Sequence, residues 1–270
     1  MIKKEKNGII YFEFEHLAKT GLVHHCVSSR IGGVSKPPYT SMNLAYHMGD
    51  NRECVNQNFK LISEAVGFDH KKIILTDQIH QANIQVVDVD NHEHKEVDSL
   101  VTAVSDYVLT TYYADCVPLL FLDPVKGVIA NSHAGWWGTV ADLAGKTIVK
   151  MARVFNCRAQ DVLVGIGPSI SMTHFEVGHE VARMFNNRSS DWKPYIKQKS
   201  DQKWHINLRE INRQQLLEAG VLAENIAVSN LCTFENPDLF YSHRRDGRLR
   251  GNMAAMIALK NKTKFGGKYE

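Results

Sequence analysis

Tyr112–Thr139, YYADCVPLLFLDPVKGVIANSHAGWWGT, is the stretch on which the reading of this chain turns. Val117–Leu122 and Val128–Ala130 are short apolar runs with the length and composition of buried strands. Asp123-Pro124-Val125-Lys126-Gly127 between them carries turn chemistry, so the two runs are predicted to form a hairpin. Asp115-Cys116 stands just before the first run, and His133-Ala134-Gly135-Trp136 just after the second. Such a hairpin brings a thiol and an imidazole to the same end of a sheet. That pairing suits a metal site, or a thiol nucleophile with His133 as its base. A buried structural Cys beside a hydrogen-bonded His is the bland alternative.

Outward from the hairpin, strands and helices mix without strict βαβ alternation. Strands are predicted at Ile9–Phe14, Leu22–Val27, Ile73–Leu75, Ile84–Val89, Tyr107–Thr111, Val162–Ile166, Trp204–Ile206 and Ile226–Val228. Met253–Leu259 is a last apolar segment, strand or helix. Asp50 and Glu53 resemble a capping box before a helix whose stripe is Val55, Phe59, Ile62 and Val66. Thr139 with Asp142 reads as the start of a second helix, striped by Ala144, Ile148, Met151 and Phe155. Its first turn follows His133 closely, and helix N-termini attract anions. A third helix is expected from about His174 to Asn186, and a fourth from the Asn207/Glu210 cap to Ala219. With no repeat or linker, residues 1–270 are expected to form a single α/β domain built on a mixed sheet.

Two loops carry polar residues worth singling out. Ser28–Asp50 is long and holds Arg30, Tyr39, Asn43 and His47, so it is either a binding loop or an Ω-loop held by its own hydrogen bonds. Cys232–Gly251 carries Arg244, Arg245, Arg248 and Arg250 directly after Phe240-Tyr241. A packed basic loop of that kind suits phosphate or carboxylate.

Composition excludes several classes. The chain has 270 residues, 44% apolar and 23% charged, as in an ordinary globular protein. A net charge of +3 is too small to make nucleic acid the main partner. No apolar stretch approaches the length of a membrane span, and the N-terminal segment lacks the apolar core of a signal peptide. The five cysteines are odd in number and include no C-x-x-C, so a reducing, cytoplasmic setting is expected.

Six pieces together resemble one family: GGVSKPPYTSMNLAYHMGD (32–50), DQIHQANI (77–84), YYADCVPLLF (112–121), ANSHAGWWGT (130–139), GIGPSI with FEVG (165–170, 175–178) and FYSHRRDG (240–247). This is the YfiH-type laccase-domain, or purine nucleoside phosphorylase, family, and the resemblance runs from Leu22 to Leu259. It implies a mixed-sheet α/β sandwich and a zinc held by His80, Cys116 and His133. Three protein ligands with a fourth position open is the arrangement of catalytic zinc. Asp115 is then a candidate for supporting a ligand or for acid/base work. The implied activity is phosphorolysis of adenosine, inosine and methylthioadenosine to free base and ribose 1-phosphate, with adenosine deamination. Asp115, Cys116 and Arg245 are the candidate catalytic residues. Arg244, Arg245 and the Thr139 helix terminus are candidate phosphate holders, and Arg30, Tyr39, Asn43 and His47 candidates for the nucleoside. The partners expected are purine nucleosides and phosphate, with no nucleic acid or membrane, for a monomer or weak homo-oligomer.

Two departures stand out. The family usually has a basic residue after H-A-G-W, where this chain has Trp137, and its later G-R-M-A is Gly251-Asn252-Met253-Ala254 here. The family's older label is polyphenol oxidase, but multicopper chemistry draws on several H-x-H pairs. Among 13 histidines this chain has one, His92-Glu93-His94. Copper is therefore expected only as an adventitious occupant of the thiolate/imidazole site. A thiol hydrolase using Cys116 and His133, and a binding or cell-envelope accessory protein without turnover, are the remaining alternatives.

Overall fold

In the computed structural model, which describes residues 1–89 and 94–261, the strands form two six-stranded mixed sheets and one of three strands. The first sheet runs β1 (Ile2–Lys6), β2 (Ile9–Glu13), β3 (Val23–Ser28), β15 (Met253–Leu259), β7 (Val108–Tyr113), β4 (Ile73–Leu75). The second runs β14 (Ile226–Val228), β10 (Leu163–Ile166), β8 (Val117–Asp123), β9 (Val128–Ala134), β6 (Ser99–Thr102), β5 (Ile84–Val86). The small third sheet is β11 (Glu176–Gly178), β13 (Lys203–Ile206), β12 (Ile196–Ser200). Three pairs are parallel (β4 with β7, β5 with β6, β10 with β14) and the rest antiparallel.

Both large sheets are buried on both faces, which is why their central strands read as unbroken apolar runs. In β15, Met253, Ala255, Ile257 and Leu259 point into the layer between the sheets, while Ala254, Met256 and Ala258 point the other way. In β8, Leu120 and Leu122 enter that same layer and Val117, Leu119 and Phe121 face outward. Helix α2 (Arg52–Val66) covers the outer face of the first sheet with Val55, Phe59 and Ile62. Helices α4 (Leu143–Phe155) and α6 (Leu208–Glu218) cover the second with Ala144, Ile148, Met151, Ile211 and Leu216. The result is the expected mixed-sheet sandwich, layered helix, sheet, sheet, helix.

The hairpin forms as predicted, with Val117 opposite Ala134 and Pro118 opposite His133. The apolar segment at 253–259 is a strand. Other boundaries differ for local reasons. The α2 cap is Asn51, whose side chain accepts from the Glu53 amide, while the Asp50 carboxylate is taken by Ser35 and Asn43. Residues 176–178 form β11, so α5 begins only at His179 and runs to Arg188. A short helix, α3 (Trp136–Val140), precedes α4, and Asp142 alone caps α4 by accepting from Gly145. Of the His-x-His pair, His92 lies outside the described residues. No helix among the described residues is long and apolar enough to cross a membrane.

Candidate active site

The open end of the β8–β9 hairpin is the focus of the molecule. Cys116 leads into β8 and His133 closes β9, so antiparallel pairing sets the two side by side. The third member, His80, arrives from the loop between β4 and β5 with a left-handed φ of 58°. Gln78 fixes that loop, accepting from the Tyr112 amide at 2.6 Å and donating to its carbonyl at 3.0 Å. The ligand atoms of His80, Cys116 and His133 lie within 4.8 Å of one another, close enough to hold one metal ion. His80 is exposed and His133 buried, so one side of the triad opens outward.

Asp98 organises the triad. One carboxylate oxygen accepts from the His80 amide at 3.0 Å and from His133 Nδ1 at 2.9 Å; the other accepts from the Gln81 amide at 2.8 Å. The Asp98 carbonyl also accepts from the His133 amide at 2.7 Å. A buried carboxylate on Nδ1 fixes the tautomer and presents Nε2 to a metal. Burial alone raises the Cys116 thiol, but His133 and His80 beside it outweigh burial and bring it below the ordinary range. Burial lowers His133, but Cys116 and Asp98 outweigh it and draw the imidazole up. This is the charge pattern of the metal-free triad; on metal binding both imidazoles are neutral and the thiolate persists.

The triad opens into a cavity of about 390 Å³, within the range of small-molecule sites. Its lining is apolar at Ala114, Trp136, Ile170, Phe175 and Leu208, and basic at His243, Arg244 and Arg250. Asp115 also lines it, with φ of 96°. Its carboxylate accepts from the Thr233 hydroxyl (2.6 Å), the Ser242 hydroxyl (3.0 Å) and the Arg244 amide (2.7 Å). Asp115 therefore holds the 242–246 turn, α7 (His243–Asp246), against the hairpin. The carboxylate that supports a candidate ligand is Asp98, not Asp115.

Several sequence-derived candidates lie elsewhere. Arg245 donates to the carbonyls of Thr233, Phe234 and Phe240 and to the Asp246 carboxylate, so it braces the loop and has no edge to offer phosphate. Thr139 sits inside α3 with its hydroxyl donating to the Gly135 carbonyl and accepting from Asn212, so it is no helix terminus facing an anion. Arg30 stacks on Tyr241 at 4.5 Å and donates to the Thr40 and Pro237 carbonyls. Buried Asn43 bonds Ala45, Asp50 and the Asn252 amide. The 28–50 loop is thus tied by its own hydrogen bonds, and Tyr39 joins it by accepting from the Tyr241 hydroxyl. His47 lies near the site, edge-on to Tyr112 at 5.7 Å, with burial and the Arg250 cation lowering its proton affinity. Trp137 is 39% exposed, packs edge-on against Trp136, and is not among the residues that line the cavity. Sequence reasoning passed over Asp98, which sits in an ordinary strand run, and did not separate Arg250 from its basic neighbours. The apolar wall comes from distant helices and loops that no local pattern joins.

With this geometry in place, comparison with known proteins is informative. Residues 24–260 match a family described as multi-copper polyphenol oxidoreductase laccase. A protein of Bacteroides thetaiotaomicron named purine nucleoside phosphorylase is 34% identical over 268 residues, covering 96% of this chain and 98% of that one. Purine nucleoside phosphorylase YlmD of Bacillus subtilis is 31% identical, over 86% of this chain and 87% of its own. The crystal structure of Bacillus licheniformis hypothetical protein YfiH superposes with a TM-score of 0.89 at 28% identity, covering 96% of this chain and 99% of that one.

Proposed function

The chain belongs to the YfiH/YlmD laccase-domain family, whose curated members are named purine nucleoside phosphorylases, and from that premise we propose that it is a zinc-dependent enzyme of purine nucleosides. Its main reaction is phosphorolysis of adenosine, inosine or methylthioadenosine to free base and ribose 1-phosphate, and adenosine deamination accompanies it in the same cavity. The observation that carries this reading is that His80 and Cys116 of the His80–Cys116–His133 triad line one cavity together with apolar side chains and the arginines Arg244 and Arg250.

The donor set fits zinc. One thiolate and two imidazoles are borderline-soft ligands, three in number, and His133 is already oriented by Asp98. Zinc, when bound there, supplies Lewis-acid charge stabilisation. The rest falls to the chain's own residues. Trp136, Phe175, Ile170 and Leu208 offer a flat purine an apolar surface and exclude water around it. The arginines of the same cavity, Arg244 and Arg250, hold phosphate. In phosphorolysis the C1′–N9 bond breaks with its electron pair on the base, and a phosphate oxygen forms the new bond to C1′. Holding phosphate and nucleoside in one cavity makes that bimolecular step effectively unimolecular.

The family description's copper oxidation finds less support. Trinuclear copper sites need several further His pairs, and among the described residues the triad is the one cluster of ligands that could hold a metal. A thiol hydrolase would use the same Cys116 free of metal.

The test is metal analysis of protein purified without added metal, then incubation with adenosine with and without phosphate. About one zinc per chain, lost in Cys116→Ala, with phosphate-dependent adenine release, is the expected result. Inosine without adenine would leave the deaminase alone. A metal-free protein whose Cys116 reacts readily with thiol reagents would replace the proposal with the hydrolase.

A further inference from the structure

Of the arginines that line the cavity, Arg250 is the one whose guanidinium is least engaged by the chain. Arg245 is saturated by carbonyls and Asp246. Arg244 gives Nη1 to the His174 and Glu176 carbonyls and lies over the Phe175 ring at 5.6 Å. Arg248 is exposed and does not line the cavity. The Arg250 side chain makes a single hydrogen bond, from Nη1 to the Gly247 carbonyl at 3.2 Å. Its Nε is buried without any partner. No carboxylate of the described residues lies within the 4.0 Å of an ion pair.

The anions nearest in charge effect are already committed. Asp115 accepts from Thr233, Ser242 and Arg244, and Asp246 accepts from Ser242 and Arg245. Cys116 belongs to the triad. Burial disfavours this guanidinium's charge, and these three groups, none in contact with it, offset only part of that effect. A buried donor left unmade is costly, and an unpaired charge more so. Arg250 nonetheless lines the cavity that His80 and Cys116 of the triad also line. Its Nη2 makes no hydrogen bond to the described residues and is left for a ligand of that cavity.

We propose that Arg250 is the anchor of the phosphate nucleophile. Its Nη2, which makes no hydrogen bond to the described residues, donates to a tetrahedral oxyanion held in the cavity. The assignment rests on the phosphorolysis reading for the identity of the anion, and on Arg250's own surroundings for its place.

The experiment is calorimetric titration of the zinc-loaded full-length protein with inorganic phosphate, for wild type, R250Q, R250K and R244Q, alongside steady-state kinetics. Loss of a charge-assisted contact raises the phosphate Kd by roughly ten- to a hundredfold in R250Q. R250K is intermediate, and the nucleoside KM moves less than about twofold, as for a group that does not touch the nucleoside. Unchanged metal content and melting temperature in R250Q show that the loss is not one of folding. An unchanged phosphate Kd in R250Q, or a loss confined to R244Q, overturns the assignment while leaving phosphorolysis in place. Arg250-dependent phosphate binding in a protein that cleaves no nucleoside overturns phosphorolysis and leaves the anchor. If only a nucleoside monophosphate titrated in parallel binds through Arg250, the anion is an ester of the substrate and the nucleophile assignment falls.

Discussion

At the scale of single residues, Asp98 and Arg245 show how a side chain's role follows from where its hydrogen bonds go. Asp98 accepts three of them, two holding the His80 loop and one orienting His133. Asp98→Asn keeps the shape but leaves one accepting oxygen for donors that now meet two different atoms. Its expected effect is a fall in metal affinity of roughly 10- to 100-fold, read by competition with a chromogenic chelator at fixed pH. Retention of wild-type affinity would mean that the carboxylate does not set the ligand geometry. Arg245 leads to the opposite kind of prediction. Its guanidinium bonds three backbone carbonyls and Asp246, and its side chain is 20% exposed. Arg245→Ala strips these acceptors of their donor and is expected to cost about 2–4 kcal/mol of stability, measured by urea denaturation. Phosphate and nucleoside KM values should then change together. A selective rise in the phosphate KM would restore Arg245 to the anion site.

At the scale of elements, the hairpin was legible because its information is local: two apolar runs, a turn, and a Cys and a His at matching ends. The helices were legible for the same reason, through stripe and cap, and their errors are local too. Asn51 rather than Asp50 caps α2 because Asp50 is recruited by Ser35 and Asn43 from the preceding loop, a tertiary competition that no capping pattern records. The His80–Cys116–His133 triad was singled out by motif, whereas Asp98 and the apolar lining needed the sheet register and the packing of α6 and the 170–175 segment. Gly135 adds a requirement that the motif contains but does not explain. Its φ of −67° suits any residue, so the constraint is space. A Cβ there would lie 3.1 Å from His80 Nδ1 and 3.3 Å from Cys116 Sγ. Gly135→Ala is expected to shift the imidazole by a few tenths of an ångström and weaken metal binding. Stability should change by less than about 1 kcal/mol. Metal content after dialysis, set against the melting temperature, separates the two effects; full metal retention would show that the site has slack.

At the scale of the whole molecule, burying both faces of two sheets encloses polar groups as well as apolar ones, and this makes stability depend on pH. Asn131 shows how such a group is accommodated. It lies on the inner face of β9 and donates across the sandwich to the Leu109 and Ala255 carbonyls at 2.8 and 2.7 Å, so the amide joins the two sheets. His25 on β3 is accommodated only as the neutral ring. It is 2% exposed, and its Nε2 accepts from the Phe14 amide at 2.8 Å. Burial, reinforced by His16, depresses its pKa from 6.5 to about 3. His16 and His24 are shifted in the same direction, each chiefly by burial. A group with a depressed folded pKa takes up its proton first in the unfolded chain. The stability that neutral His25 contributes is therefore complete above pH 6.5 and is lost as pH falls from 6.5 towards 3. For one such proton the loss is about 1.4 kcal/mol per pH unit once the unfolded histidine is protonated. Between about pH 5 and 6.5, above the carboxylate range, the unfolding free energy from urea titrations should decline with a slope approaching one proton or more. His25→Gln keeps an acceptor near the Phe14 amide and removes the titration. It should be less stable at pH 7.5 yet show a shallower decline, by up to one proton's worth. A slope equal to wild type would mean that His25 is protonated in the folded protein, and that the acid sensitivity of this fold arises elsewhere.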